Sequence, residues 1–136
     1  MSKPLPRGIR NHNPGNIRHG DKWQGMASVQ MDKDFVTFTS PEYGIRALGK
    51  VLLNYQRKHG INTIDGLVNR YAPPIENNTR AYVQALCRAC CVEAVEIINF
   101  FEYLPDLIPA IIHHENGMQP YDAATLQAGI ALALQG

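Results

Sequence analysis

Ser40-Pro41-Glu42-Tyr43-Gly44-Ile45-Arg46-Ala47-Leu48-Gly49-Lys50-Val51-Leu52-Leu53-Asn54-Tyr55-Gln56-Arg57-Lys58-His59-Gly60 reads as one long helix with both ends marked. Serine is a favoured N-cap, proline suits the first helical position because its missing N–H has no intrahelical partner there, and Glu42 complements the positive end of the dipole. Leu48, Val51, Leu52 and Tyr55 recur at helical spacing, so they form one apolar face. Gly60 supplies the left-handed residue on which helices commonly stop. The spacing predicts a long, mostly buried helix over 41–59, around which the rest of the chain must pack.

Downstream, Thr63 can cap a shorter helix through Arg70, which Pro73-Pro74 must end. Asn77-Asn78-Thr79 reads as the cap of another, 79–91, with Tyr82, Val83, Leu86 and Cys90 on its inner stripe; the same triplet matches a glycosylation sequon, but capping explains it. A further helical segment reaches Asn116, with Pro105 and Pro109 as candidate breaks and Gly117 as its stop. Asp122 caps a last helix, 123–134, so uniformly small and apolar that burial all round is expected. Upstream, Ser28-Val29-Gln30-Met31 and Phe35-Val36-Thr37-Phe38 flank Asp32-Lys33-Asp34 as in a small β-hairpin lying on the helices. Residues 1 to about 20, rich in Pro, Gly and Asn, read as coil, with 1–8 a flexible tail. The expected fold is mainly α, formally α+β through the hairpin, with five to six helices around one core in a single domain, 1–136.

A chain of 136 residues can bury one core of ordinary size, so any site must be built on that core. Thirteen Lys and Arg against twelve Asp and Glu leave almost no net charge, and the basic residues are scattered, which argues against a nucleic-acid partner. No apolar run is long enough to cross a bilayer, and none follows Lys3 and Arg7 as a secretory signal requires. The expectation is synthesis in the cytoplasm and, for any target outside it, delivery by some other means. Cys87, Cys90 and Cys91 lie too close together for a disulfide framework and suggest a reducing compartment. With no histidine nearby in sequence they read as small buried hydrophobes rather than metal ligands, and no cofactor is expected.

The most informative stretch for chemistry is Leu104-Pro105-Asp106-Leu107-Ile108-Pro109-Ala110-Ile111-Ile112-His113-His114-Glu115-Asn116-Gly117. If it is helical, Leu104, Leu107, Ile108, Ile111 and Ile112 form one stripe and Glu115 continues it, so a carboxylate is aimed toward the core. Burial beside isoleucines and the negative end of a helix would both disfavour its ionised form. A carboxyl group kept protonated near neutral pH is what a general acid needs, and protonating a glycosidic oxygen is its best-known use. The alternative is that Glu115 reaches solvent at a frayed end, beside His113 and His114. On spacing alone that alternative is the commoner.

Arg7-Gly8-Ile9-Arg10-Asn11-His12-Asn13-Pro14-Gly15-Asn16-Ile17-Arg18, with Trp23-Gln24-Gly25 after it, resembles a family of phage and prophage virion or lysis proteins that read R-N-N-N-P-G-N-I and then W-x-G. The likeness continues through FVTFTSPEYGIRA (35–47), YAPPIENNT (71–79) and AIIHHENG (110–117), so it covers most of the chain. His12 departs from the usual asparagine. The family is similar to lysozyme-like peptidoglycan glycosidases: AIIHHENG resembles the transglycosylase helix that ends in a catalytic Glu, and NPGNI with WQG resembles the polar segment of bacterial glucosaminidases. In those enzymes the Glu helix comes first. The resemblance therefore implies a circularly permuted lysozyme-like domain, which is permissible because the termini of compact domains tend to lie close together. It requires Asn16 and Glu115 to lie within about two helix diameters (~20 Å) of each other.

The resemblance implies a muramidase or lytic-transglycosylase type of peptidoglycan glycosidase, with Glu115 as catalytic acid and Asn13 and Asn16 positioning the glycan or a water. Trp23, Tyr43, Tyr71 and Tyr121 are candidates to stack on sugar rings, since aromatic faces pair an apolar surface with a polar rim. Glu42 and Glu76 are rival acids, but helix-start chemistry accounts for both. Asp32 and Asp34 could supply a second carboxylate, though turn aspartates need no such role. The implied partner is the glycan strand of the cell wall, together with other virion or secretion components. The competing readings are a non-catalytic virion or tail component that binds cell-wall sugar and a DNA-packaging accessory, the latter disfavoured by the neutral charge.

Overall fold

The long helix is present as α2, Pro41–His59, in a computed structural model that describes residues 4–72 and 78–135. Gly60 closes it at φ 65°, and Ser40 stands at its extended N-cap position, although its hydroxyl makes no capping bond. Ile45, Leu48 and Leu52 on its inner face are completely buried. Burying one such side chain contributes about 1.5–3 kcal/mol, so this face anchors the core.

α1, Arg7–Arg10, precedes it. Arg7 and Gly8 are thus not a tail: Gly8 and Ile9 are buried, and Arg7 pairs with Asp32 at 2.6 Å and Asp34 at 3.0 Å. α3, Ile64–Tyr71, is capped by Thr63, whose Oγ1 accepts from the Gly66 amide at 3.0 Å. Pro73, Pro74, Glu76 and Asn77, read from sequence as a stop, a rival acid and a cap, lie outside the described residues. α4, Thr79–Cys90, is capped by Asn78 and ends one residue sooner than expected because Cys91 turns left-handed at φ 56°.

α5, Phe100–Asn116, is not broken by its prolines. The N–H groups that Pro105 and Pro109 lack would have bonded the carbonyls of Phe101 and Pro105. Both of these residues are exposed, so water can take those carbonyls at little cost. α6, Ala123–Leu134, buries Gly129, Ile130 and Ala133 but not its whole circumference, since its outer positions are mostly alanines with little apolar area to hide.

α2 lies along α6, and α5 touches α1, α2, α4 and α6 from the centre of the bundle. The α2–α6 approach is close because each helix offers a glycine. A Cβ on Gly49 would stand 2.6 Å from Ala133 Cβ, and one on Gly129 would stand 2.5 Å from Ile45 Cβ. The main core draws on α2 to α6. A second small cluster, Ile17, Val36, Phe38 and Ala47 with Trp23, Met26, Tyr43 and Val51 against it, fastens the N-terminal loops to α2.

The expected hairpin does not form, and there is no strand among the described residues. Segment 28–31 offers its partner a side chain in place of a backbone ladder. Gln30 Oε1 accepts from the Thr37 amide at 2.7 Å, and its Nε2 donates to the carbonyls of Thr37 and Ala27, each at 2.9 Å. Only isolated bridges remain, Arg18 with Phe35 and Met26 with Phe38. The fold is therefore mainly α without the β element. Among the described residues no helix is long and apolar enough to cross a membrane.

Candidate active site

The polar N-terminal stretch is a built loop. After α1 the backbone enters the left-handed region at His12, φ 52°, and again at Asn16, φ 54°. Asparagine and histidine are the side chains that tolerate that region best, which accounts for histidine where the resembling family has asparagine. Asn13 to Asn16 form a turn closed by the Asn16 amide on the Asn13 carbonyl at 3.0 Å. Proline suits its second position. Gly15 does not have a positive φ; instead, a Cβ there would meet the Tyr71 hydroxyl at 2.6 Å and Leu48 at 3.1 Å.

Three helices grip this turn. Tyr71, at the end of α3, donates its hydroxyl to the Gly15 carbonyl. Asn116, at the end of α5, donates to the Pro14 carbonyl at 2.8 Å and to Ile112 at 2.9 Å. From α2, Gly44 lets the His12 carbonyl in so closely that a Cβ would stand 1.9 Å from its oxygen. Gly8 does the same for two amides, since a Cβ there would lie 2.5 Å from Asn116 Oδ1 and 2.8 Å from Asn16 Oδ1. Both oxygens are buried without a hydrogen-bond donor among the described residues.

The turn thereby delivers Asn16 to Glu115, 99 positions away. Asn16 Nδ2 donates to Glu115 Oε1 at 3.1 Å, well inside the separation the resemblance requires. The other carboxylate oxygen, Oε2, accepts from the Tyr82 hydroxyl of α4 at 3.0 Å. Tyr82 is wholly buried and stacks on His114, ring centroids 3.8 Å apart. Burial, reinforced by neighbouring tyrosine and Glu115 charge, pushes the Tyr82 phenol well above its ordinary range, and burial with the Glu115 charge does the same for Tyr71. Both therefore stay protonated donors at physiological pH. Burial holds His114 below the usual imidazole value, which favours its neutral form.

Glu115 opens onto a groove of about 650 Å³ lined by Asn16, Arg18, Phe35, Tyr55, Arg70 and Tyr71, among others. It is the only carboxylate among the described lining residues. Asp32 and Asp34 do not line the groove; both pair with Arg7, and hydrogen bonds from Arg7, and then from the Asp34 backbone, hold the Asp32 carboxyl far below the usual range. Asn13, expected to touch substrate, is completely buried. Its Nδ2 donates to the carbonyls of Ile17 and Val36 and its Oδ1 accepts from the Ile17 amide, all at 2.9 Å. Its amide fixes the loop and does not face the groove.

The aromatic expectations divide. Tyr71 lines the groove, whereas Trp23, Tyr43 and Tyr121 do not. Trp23 and Tyr43 pack against the small cluster on α2, and Tyr121 packs against the main core, where burial pushes its phenol up to about 12. Sequence reasoning missed Tyr55, Phe35 and the two arginines as groove residues, and Tyr82 as a partner of Glu115. Tyr55 and Tyr82 sat on the inner stripes of their helices, where a core role was the natural reading. Among the described residues no cluster of His, Cys, Asp and Glu could hold a metal ion. The three cysteines also separate: Cys90 is buried, Cys87 half-buried and Cys91 exposed.

No protein-family model matches the sequence. Over 134 residues, 96% of this chain, it is 34% identical to Protein P5 of Pseudoalteromonas phage PM2, and the match spans 83% of that protein.

Proposed function

Because the chain belongs to the family of the bacteriophage PM2 Protein P5, we propose that it acts for a phage or prophage as a peptidoglycan-cleaving glycosidase of lysozyme-like, circularly permuted descent. The single observation that carries this reading is the meeting of Asn16 with Glu115 at 3.1 Å, at a groove of about 650 Å³. A polar loop from one end of the chain and a helix-end carboxyl from the other meet at the groove, the arrangement that a positioned acid requires.

In the proposed reaction a glycan strand lies in the groove, with a glycosidic oxygen against Glu115. The carboxyl proton passes to that oxygen, the C1–O bond breaks with its electron pair going to the leaving sugar, and positive charge develops on the ring left behind. Asn16 and Tyr82 hold the carboxyl in one orientation, which is what a positioned acid requires. Tyr55, Tyr71 and Phe35 supply aromatic surface along the groove, with arginine guanidinia over the Phe35 and Tyr55 rings. The product then forms by attack of water or of the sugar's own hydroxyl. Delivery to the cell wall falls to the virion, a holin-type pore or a secretion machine.

One feature favours a second reading, a virion component that binds cell-wall glycan without cutting it: no other carboxylate among the described residues lines the groove. Incubating the chain with purified peptidoglycan and weighing the soluble products separates the two. Release of disaccharide-peptides supports cleavage, with a reducing end marking hydrolysis and an anhydro end marking internal attack. Binding without release supports the second reading and contradicts the first.

A further inference from the structure

Among the described residues, the lining of the groove beside Glu115 carries two cations and one carboxylate. Arg18, from the segment after the Asn13–Asn16 turn, and Arg70, from the last turn of α3, both line it. Each guanidinium lies over an aromatic ring of the same groove, Arg18 at 5.1 Å from the Phe35 centroid and Arg70 at 5.8 Å from that of Tyr55. Such stacking orders a planar cation in advance, so less freedom is lost when it binds. Two cations against one carboxylate leave the described lining net positive, although the whole chain is nearly neutral.

We infer that Arg70, supported by Arg18, forms a subsite for a carboxylate carried as a side branch on the glycan. The inference rests on the reading of the groove as a glycan site and names what that glycan must bear. A guanidinium fork matches a carboxylate with two parallel hydrogen bonds, and a charge-assisted pair of this kind is about twice as strong as a neutral one. Peptidoglycan supplies such groups on its stem peptides, whereas a chitin-type strand has none. Arg70 is exposed at the groove.

The test is a calorimetric titration of peptidoglycan tetrasaccharide fragments into the Glu115→Gln chain, which keeps the probe from being turned over. One preparation carries free stem-peptide carboxylates and the other has them converted to carboxamides. The acidic form is expected to bind about ten-fold tighter at low salt, with the advantage shrinking as salt rises. Arg70→Gln should abolish the difference between the two forms, and Arg70→Lys should restore part of it. Equal binding of both forms would overturn the subsite and leave the glycan reading intact. Binding of neither form would overturn both, and an undiminished preference in Arg70→Gln would overturn the assignment to Arg70.

Discussion

Gly44→Ala is the substitution for which helix propensity and the packing of the site make opposite predictions. Gly44 lies inside α2, where alanine is the better helix former by about 1 kcal/mol. An alanine Cβ, however, would stand 1.9 Å from the His12 oxygen and 2.9 Å from its carbonyl carbon. Normal contact requires the His12 backbone to retreat by roughly 1.5 Å, taking an ordinary carbon-to-oxygen separation as about 3.3–3.6 Å. That backbone cannot readily yield, because the next residue, Asn13, is buried and bonded on both sides of its amide. Overpacking of this kind costs about 1–3 kcal/mol, so after the propensity gain a net loss of up to ~2 kcal/mol is expected. At about 2.1 cal/mol/K per residue over 136 residues, 2 kcal/mol lowers Tm by roughly 7 °C. Thermal unfolding followed by circular dichroism measures it. Gly66→Ala in α3 is the control, since its nearest neighbours are the Ile61 Cγ2 and Thr63 Oγ1 side-chain atoms at 3.2 Å, which can move. A Gly44→Ala chain as stable as the parent, or more so, would refute the claim that the His12 carbonyl is packed against α2.

Three further outcomes follow from the same contacts. Tyr82→Phe keeps the buried ring but removes the donor to Glu115 Oε2; fold stability should drop by about 1 kcal/mol and the initial rate on purified peptidoglycan about ten-fold, chiefly in kcat. Gly8→Ala should displace Asn16 and Asn116 and so lower activity more than Asn13→Ala does at equal loss of Tm, as rate and melting measurements on the same samples would reveal. The Asp32 carboxyl is held below its ordinary 3.8, so its pair with Arg7 contributes fully above that pH and is lost progressively as pH falls below it. An acid titration of stability should therefore fall more steeply below pH 4 in the parent than in Asp32→Asn.

The helices were legible because their signals are local. Thr63, Asn78, Asp122 and Gly60 act on neighbours within a few residues, and apolar spacing needs only one turn of helix to declare itself. α5 showed where local rules stop, since the helix runs through Pro105 and Pro109, and the carbonyls they orphan belong to exposed residues. The hairpin failed for a reason no alternation pattern contains: one side chain, Gln30, took the backbone partners of Thr37.

For the site, Asn16 and Glu115 were reachable through the resemblance and through the carboxylate on an apolar stripe. The groove walls were reachable only in part. Trp23 and Tyr43 follow the loop in sequence but turn toward the cluster on α2, Tyr71 lines the groove as its aromatic face suggested, and Tyr55 reaches it from a helix whose apolar face suggested only packing. Gly8, Gly15 and Gly44 looked like coil and helix residues. Each is small because a distant atom stands where its Cβ would be, and that distance is a property of the fold.

The central claim is that Glu115 gives its proton to a glycosidic oxygen, and release of soluble fragments from purified peptidoglycan by Glu115→Gln tests it most directly. Glutamine preserves the shape of the carboxyl and removes the proton. Release at least ~10²-fold below the parent, the usual contribution of a general acid, is expected, with melting temperature and glycan binding retained. Release at the parent's rate from a folded Glu115→Gln chain would contradict it.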